Sequence, residues 1–200
     1  MRKVFLSSAL ATILFAGTLS AQHSSQKITL GIKGGLNLYK ISTDNSSDYD
    51  AKIGFNAGLL AHVHLVPHLA LQPEIVYSQQ GAKGTGSGAE FKSKLNYINV
   101  PVLLQYMFDN GFRIQAGPQL GFLATAKQKI GNNAATDVKG YYKDFDFALS
   151  GGVSYVHPST GLGVDLRYVH GLSNINKNTT IKSTNRGGQL GIFYLIHHRH

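Results

Sequence analysis

The chain has 200 residues, of which 23 are glycine and only 14% are charged, with no cysteine or tryptophan and a formal net charge of +9. That length suits one good-sized domain. The lack of cysteine excludes a disulfide framework and thiolate metal sites, while the positive balance suits nucleic acid, anionic lipid or a polyanionic glycan as neighbour.

The first segment narrows the choice. "MRK" is a charged start, "VFLSSALATILFAG" an apolar run and "TLSAQ" a small-residue cleavage region. This is the layout of a secretory signal peptide. Cleavage is expected after Ala21, dividing the chain into a signal at 1–21 and one domain at 22–200. The apolar run is shorter than the ~20 residues of a spanning helix. An exported chain has no nucleic-acid partner, so the basic charge needs another reading.

Beyond the signal the pattern alternates with period two. In "ITLGIKGGLNLY", Ile28, Leu30, Ile32, Leu36 and Leu38 share one face; Thr29, Gly31, Lys33, Asn37 and Tyr39 share the other. The alternation returns in 53–65, 69–80, 95–108, 112–125, 145–156, 162–172 and 187–196. That predicts eight strands of about ten or more residues, the length of a tilted membrane-crossing strand. The connections alternate too. Those at 66–68, 109–111 and 158–161 are short; those at 41–52, 81–93, 126–143 and 173–186 are long and polar. The fold predicted is all-β: an eight-stranded antiparallel up-and-down transmembrane β-barrel. Four long loops would lie outside the cell and three short turns in the periplasm.

Local chemistry supports the register. Phe108 and Phe112 both fall on the outward face, so an odd number of residues must separate them. Asp109-Asn110-Gly111 fits, with glycine where a three-residue loop needs a left-handed residue. In "YINVPVLLQY" (97–106) this register sets Pro101 opposite Gln119 and Val102 opposite Pro118. Facing pairs alternate between bonded and non-bonded, and proline cannot donate, so a bulge or lengthened ladder step is predicted there.

The nearly uncharged face is assigned to lipid, with Tyr77, Tyr106, Tyr155, Tyr168 and Tyr194 as interfacial aromatics. The opposite face carries Lys33, Glu74, Arg113, Asp146, Asp165 and Arg167, three charges of each sign. Charges inside a small barrel must be paired. The balance predicts a closed polar network filling the lumen, with no open pore. Inward glycines make room for these side chains.

Other constellations are weaker. His62 and His64 share a face with Glu74 nearby, which is short of a metal-ligand set. His170 and Ser173 could pair as base and nucleophile, but nothing supplies an orienting third group. No catalytic residue, metal or cofactor is assigned. Lys83, Lys92, Lys94, Lys127, Lys129, Lys139, Lys143, Lys177, Lys182 and Arg186 fall on the long loops or their rims, where they would face lipopolysaccharide phosphates.

Four blocks, "LNYINVPVLLQYMF", "RIQAGPQLGFLATAK", "DFALSGGVSY" and "LRYVHGLSNI", follow one another in order. Together they resemble the outer-membrane β-barrel family of Bacteroidetes often termed porin-family or PorT-like, over roughly residues 27–196. Where that family commonly has an acidic residue two before the proline, this chain has Asn99. In "QLGIFYLI", Gln189, Gly191, Tyr194 and Ile196 resemble the C-terminal signal read by the barrel-assembly machinery. The resemblance implies a bacterial outer-membrane protein surrounded by lipid and lipopolysaccharide. The leading expectation is a structural or loop-mediated binding role with an envelope protein partner. A transport or secretion-accessory role is the alternative, and a lipid-modifying enzyme the remote third.

Overall fold

The computed structural model describes residues 28–43, 50–86, 89–178 and 182–196. The expected signal at 1–21 and the histidine-rich end at 197–200 lie outside them. The strands are β1 (Ile28–Thr43), β2 (Asp50–Val66), β3 (Leu69–Gly86), β4 (Ala89–Met107), β5 (Phe112–Ile130), β6 (Thr136–Asp137), β7 (Phe145–Val156), β8 (Leu162–Gly171) and β9 (Ser183–Leu195). Eight of these form an antiparallel ring, in which β5 pairs directly with β7 and β9 closes onto β1. The two-residue β6 only lines the loop end of β5.

The ring is staggered. Facing pairs lead from Ile28 through Val63, Leu71, Leu104, Ala116, Gly151, Tyr168 and Gly188 back to β1 at Leu38, not at Ile28. Such an offset tilts the strands against the barrel axis. All the side chains on this circuit that are large and apolar point away from the lumen, as the period-two pattern requires. Leu30, Ile32, Leu59, Ile75, Leu166, Leu190 and Ile192 are exposed by half or more on the same surface. In water that surface would be untenable; in hydrocarbon it is the ordinary outside of a barrel. Aromatic rings border it. Tyr106, Phe108 and Phe112 pack in series at the turn end, and Phe55–Tyr77 and Phe122–Phe145 pack toward the loop end.

The predicted hairpin between Phe108 and Phe112 forms. Gly111 has φ +88°, its N–H donates to the Phe108 carbonyl, and the Phe108 N–H donates to the Phe112 carbonyl. Pro101 faces Gln119 as expected, and the next pair is Leu104 with Ala116. Register is therefore unchanged, but Val102 and Leu103 have no partner on β5. The β3–β4 ladder has a matching gap between Pro73–Val102 and Val76–Asn99. Val102 and Leu103 keep Pro73 and Gln72 as partners on that side, and the residues left unpaired on β4 are Val100 and Pro101. Pro118 toward β5 and Pro101 toward β3 each cost the strand a donor. The outcome is a stretched step, not a bulge. The bulge on this pair of strands comes higher, where Ala124 is left over between the partners of Asn96 and Tyr97.

The strands run further into the long connections than expected, β5 to Ile130 and β9 from Ser183, and one connection differs most. Residues 81–93 read as a long loop, yet β3 and β4 continue to pair as far as Gly86 with Ala89. β5 continues beside them to Ile130. The stretch "GAKGTGSGAEFKS" lies past the apolar belt, and backbone pairing does not require apolar side chains. A three-stranded ribbon therefore stands beyond the apolar belt.

Candidate functional site

The inward faces of β1, β3 and β8 converge on one ion cluster. The Lys33 ammonium lies 3.2 Å from Glu74 Oε2 and 3.6 Å from Asp165 Oδ2. Arg167 donates from Nη1 and Nη2 to the two Glu74 oxygens at 3.0 and 2.9 Å, and its Nη2 is 3.3 Å from Asp165. Gln72 adds a donor to Glu74 Oε1 at 2.7 Å. Two cations and two anions thus alternate around a square, with all four residues buried. Charges taken out of water carry a large desolvation cost, offset only when geometry is good and the remaining lone pairs are bonded. The bidentate fork of Arg167 on Glu74 meets that condition.

The other two predicted lumen charges lie elsewhere. Arg113 sits toward the turn end, donating to Gln105 Oε1 at 3.5 Å and lying 3.4 Å from His62 Nδ1. Gln105 donates in turn to Gln115 at 2.8 Å. The His62 and His64 rings meet edge to face at 4.6 Å. Asp146 sits toward the loop end, accepting from Ser173 Oγ at 2.7 Å and Asn185 Nδ2 at 2.9 Å. Asn37 joins Asn56 and Ser78 in a further polar layer, at 2.7 and 3.0 Å. Six charges facing inward therefore make three separate assemblies.

Two apolar clusters close the polar column. At the turn end Leu60, Val156, Phe193 and Leu195 are buried together. Gly163 makes this packing feasible, since a methyl group on it would overlap the Phe193 ring. At the loop end Ile41, Ala82, Leu95, Tyr97, Leu123, Ala126 and Ile175 form the second cluster, with Val138 and Tyr142 against it. Ile175 comes from the last connection. Its carbonyl accepts from Lys143 N–H at 2.7 Å and its N–H donates to Ser183 at 2.9 Å. Sequence reasoning missed these closures. Their one visible sign was Ile175 itself, the lone apolar residue in "SNINKN".

The weaker constellations resolve differently. The Ser173 hydroxyl is occupied by Asp146 and by the Phe147 N–H at 2.8 Å, while His170 stands beside Tyr168 on the outer surface. Serine and histidine are thus on opposite faces of the wall. Gln189 points inward and donates to the Tyr39 hydroxyl at 3.1 Å; Gly191 faces Gly35, and Tyr194 and Ile196 are exposed outside.

Comparison with known proteins follows from this geometry. The family model described as "Outer membrane protein beta-barrel domain" matches residues 20–177. Among solved structures the fold is similar to Neisserial surface protein A (NspA), at 12% identity and a TM-score of 0.51, covering 86% of this chain and 100% of that one. It is also similar to Ail, the attachment invasion locus protein of Yersinia pestis, at 14% identity and a TM-score of 0.50, covering 83% and 98%. No curated protein matches the chain. At these identities the likeness is one of fold.

Proposed function

Because the chain belongs to the outer membrane protein β-barrel domain family, we propose that it serves as a closed barrel whose role is structural or lies in binding at its loop end, and not as a channel. The observation that carries this reading is the square of Lys33, Glu74, Asp165 and Arg167 across the lumen. An ion passing it would have to displace buried, paired charges, and would meet an apolar cluster on either side. The long connections face the cell exterior and the short turns the periplasm, which puts outer-membrane lipid and lipopolysaccharide around the wall. The finer placement with PorT-like Bacteroidetes barrels, and with it a secretion-accessory role, rests on the four sequence blocks. The assembly-machinery role of Gln189, Gly191, Tyr194 and Ile196 rests likewise on resemblance.

Planar-bilayer recording of the refolded mature chain tests the reading. We expect no stepwise conductance in the wild type. Regular unitary currents that persist at high protein purity would overturn it.

A further inference from the structure

The outer surface changes chemistry at one level. On β1, β9 and β8 the facing set Leu38, Gly188 and Tyr168 gives way, two residues further toward the loop end, to Lys40, Arg186 and His170. The larger basic area lies on the ribbon. Lys83 faces Lys92, which faces Lys129; in the next row Lys94 faces Lys127. All five are exposed and on the same side of the sheet. Strands lie about 4.8 Å apart, so each row holds its ammonium groups within reach of one another. Like charges set directly opposite destabilise a sheet.

Carboxylates only partly offset them. Among the described residues Glu90 lies 3.5 Å from Lys92, Asp50 faces Lys83 and Asp137 faces Lys127. Asp137 Oδ1 is already taken by the Lys139 N–H at 2.8 Å. The ammonium of half-buried Lys52, next to these rows, is held below the ordinary lysine range by desolvation and then by the charge of Lys94. Among the described residues these five lysines are exposed and stand outside the core and the lumen. A ligand with closely spaced negative groups would relieve their repulsion.

We propose that Lys83, Lys92, Lys94, Lys127 and Lys129 form a docking face for the phosphates of an outer-leaflet glycolipid. This rests on the reading above that the loop end faces outward. Continuity selects the occupant. The lysines stand on the same outward face as Tyr77, Ile98 and Phe122, directly past the apolar belt. A molecule with acyl chains and phosphates touches both zones at once, whereas a soluble polyanion uses only the upper one. Of the other loop lysines, Lys139 is turned back onto the Ala124 carbonyl at 3.1 Å, Lys143 sits at the far end of that connection with its N–H on the Ile175 carbonyl, and Lys177 and Lys182 belong to the last connection.

The test compares the full-length wild type with the variant K92Q/K94Q/K127Q/K129Q and a control, K139Q/K143Q/K177Q/K182Q. Each is extracted from native outer membranes in mild detergent, and co-purified glycolipid phosphate is measured. Each lysine near an anionic surface contributes enough that losing four should lower retention about tenfold or more. The control should retain as much as wild type. In phosphatidylethanolamine vesicles, added diphosphorylated lipid A should raise the unfolding temperature of wild type and control but not of the face variant. Equal retention by the face variant, or an equal loss in the control, would overturn the proposal. So would a drop in heparin binding alone, which would mark a soluble polyanion site. Wild type that fractionates with the outer membrane but carries no glycolipid would sink the docking face and leave the barrel reading standing. Wild type that fractionates elsewhere would remove both.

Discussion

Glu74 accepts from two cations and a glutamine, so its charge matters more than its size. Replacing it by glutamine leaves Lys33 and Arg167 to share Asp165 alone. Breaking a buried ion pair from one side costs ~3–5 kcal/mol. Urea unfolding of the Glu74→Gln variant in lipid vesicles should show a loss of that order. Removing a whole cation–anion pair is a different experiment. The double variant Glu74→Met with Arg167→Met keeps Lys33 and Asp165 at 3.6 Å. It should unfold within about 1 kcal/mol of the wild type, or more stably, since apolar replacement of a complete pair is often neutral. A double variant as weak as the single one would mean that packing, not charge, holds this layer together.

At the level of strands the prolines set the pattern of local strength. β1 and β2 pair without a break from Ile28–Val63 to Tyr39–Lys52. β4 loses a step on each side, toward β3 at Val100 and Pro101 and toward β5 at Val102 and Leu103, opposite Pro118. Stability within one fold is uneven, and amide exchange reports it. Hydrogen exchange in bilayers should therefore be faster across Val100, Val102 and Leu103, which flank the two lost steps, than at Leu30–Leu38, although both stretches lie within the apolar belt. Uniform protection across the two would show that the step is bridged. The step could be anticipated from residue spacing, because proline's missing donor and a three-residue turn fix which pairs meet. The length of β3 and β4 could not. Their outer halves are polar on both faces, and polar alternation in sequence is indistinguishable from a loop until the backbone pairs.

Taken whole, the barrel was legible wherever lipid and lumen impose opposite demands on neighbouring residues. Inward placement of Lys33, Glu74, Asp165 and Arg167 followed from period two alone. Their convergence did not, because it depends on the stagger of the ring, which is a sum over every turn and bulge. The same holds for the contact of Asp146 with Ser173 and Asn185, which arrive from different segments. Closure of the lumen is therefore redundant: an apolar cluster, polar layers and a second apolar cluster lie in series. Ile175→Ser should loosen the last connection, measured as faster exchange at residues 173–176, yet leave planar bilayers silent. Conductance from that single change would place the whole barrier at the loop end.

The ion square joins the first, third and next-to-last long strands, and Arg167 lies 93 positions from Glu74 along the chain. A partly assembled sheet that holds β1 through β5 therefore carries Glu74 with Lys33 as its partner and without the Arg167 guanidinium. Contacts this distant in sequence form late and slow the process that depends on them. Glu74 then gains its bidentate partner only as the sheet curls shut and brings the eighth strand of the chain against the third, so an open intermediate has a reason not to persist.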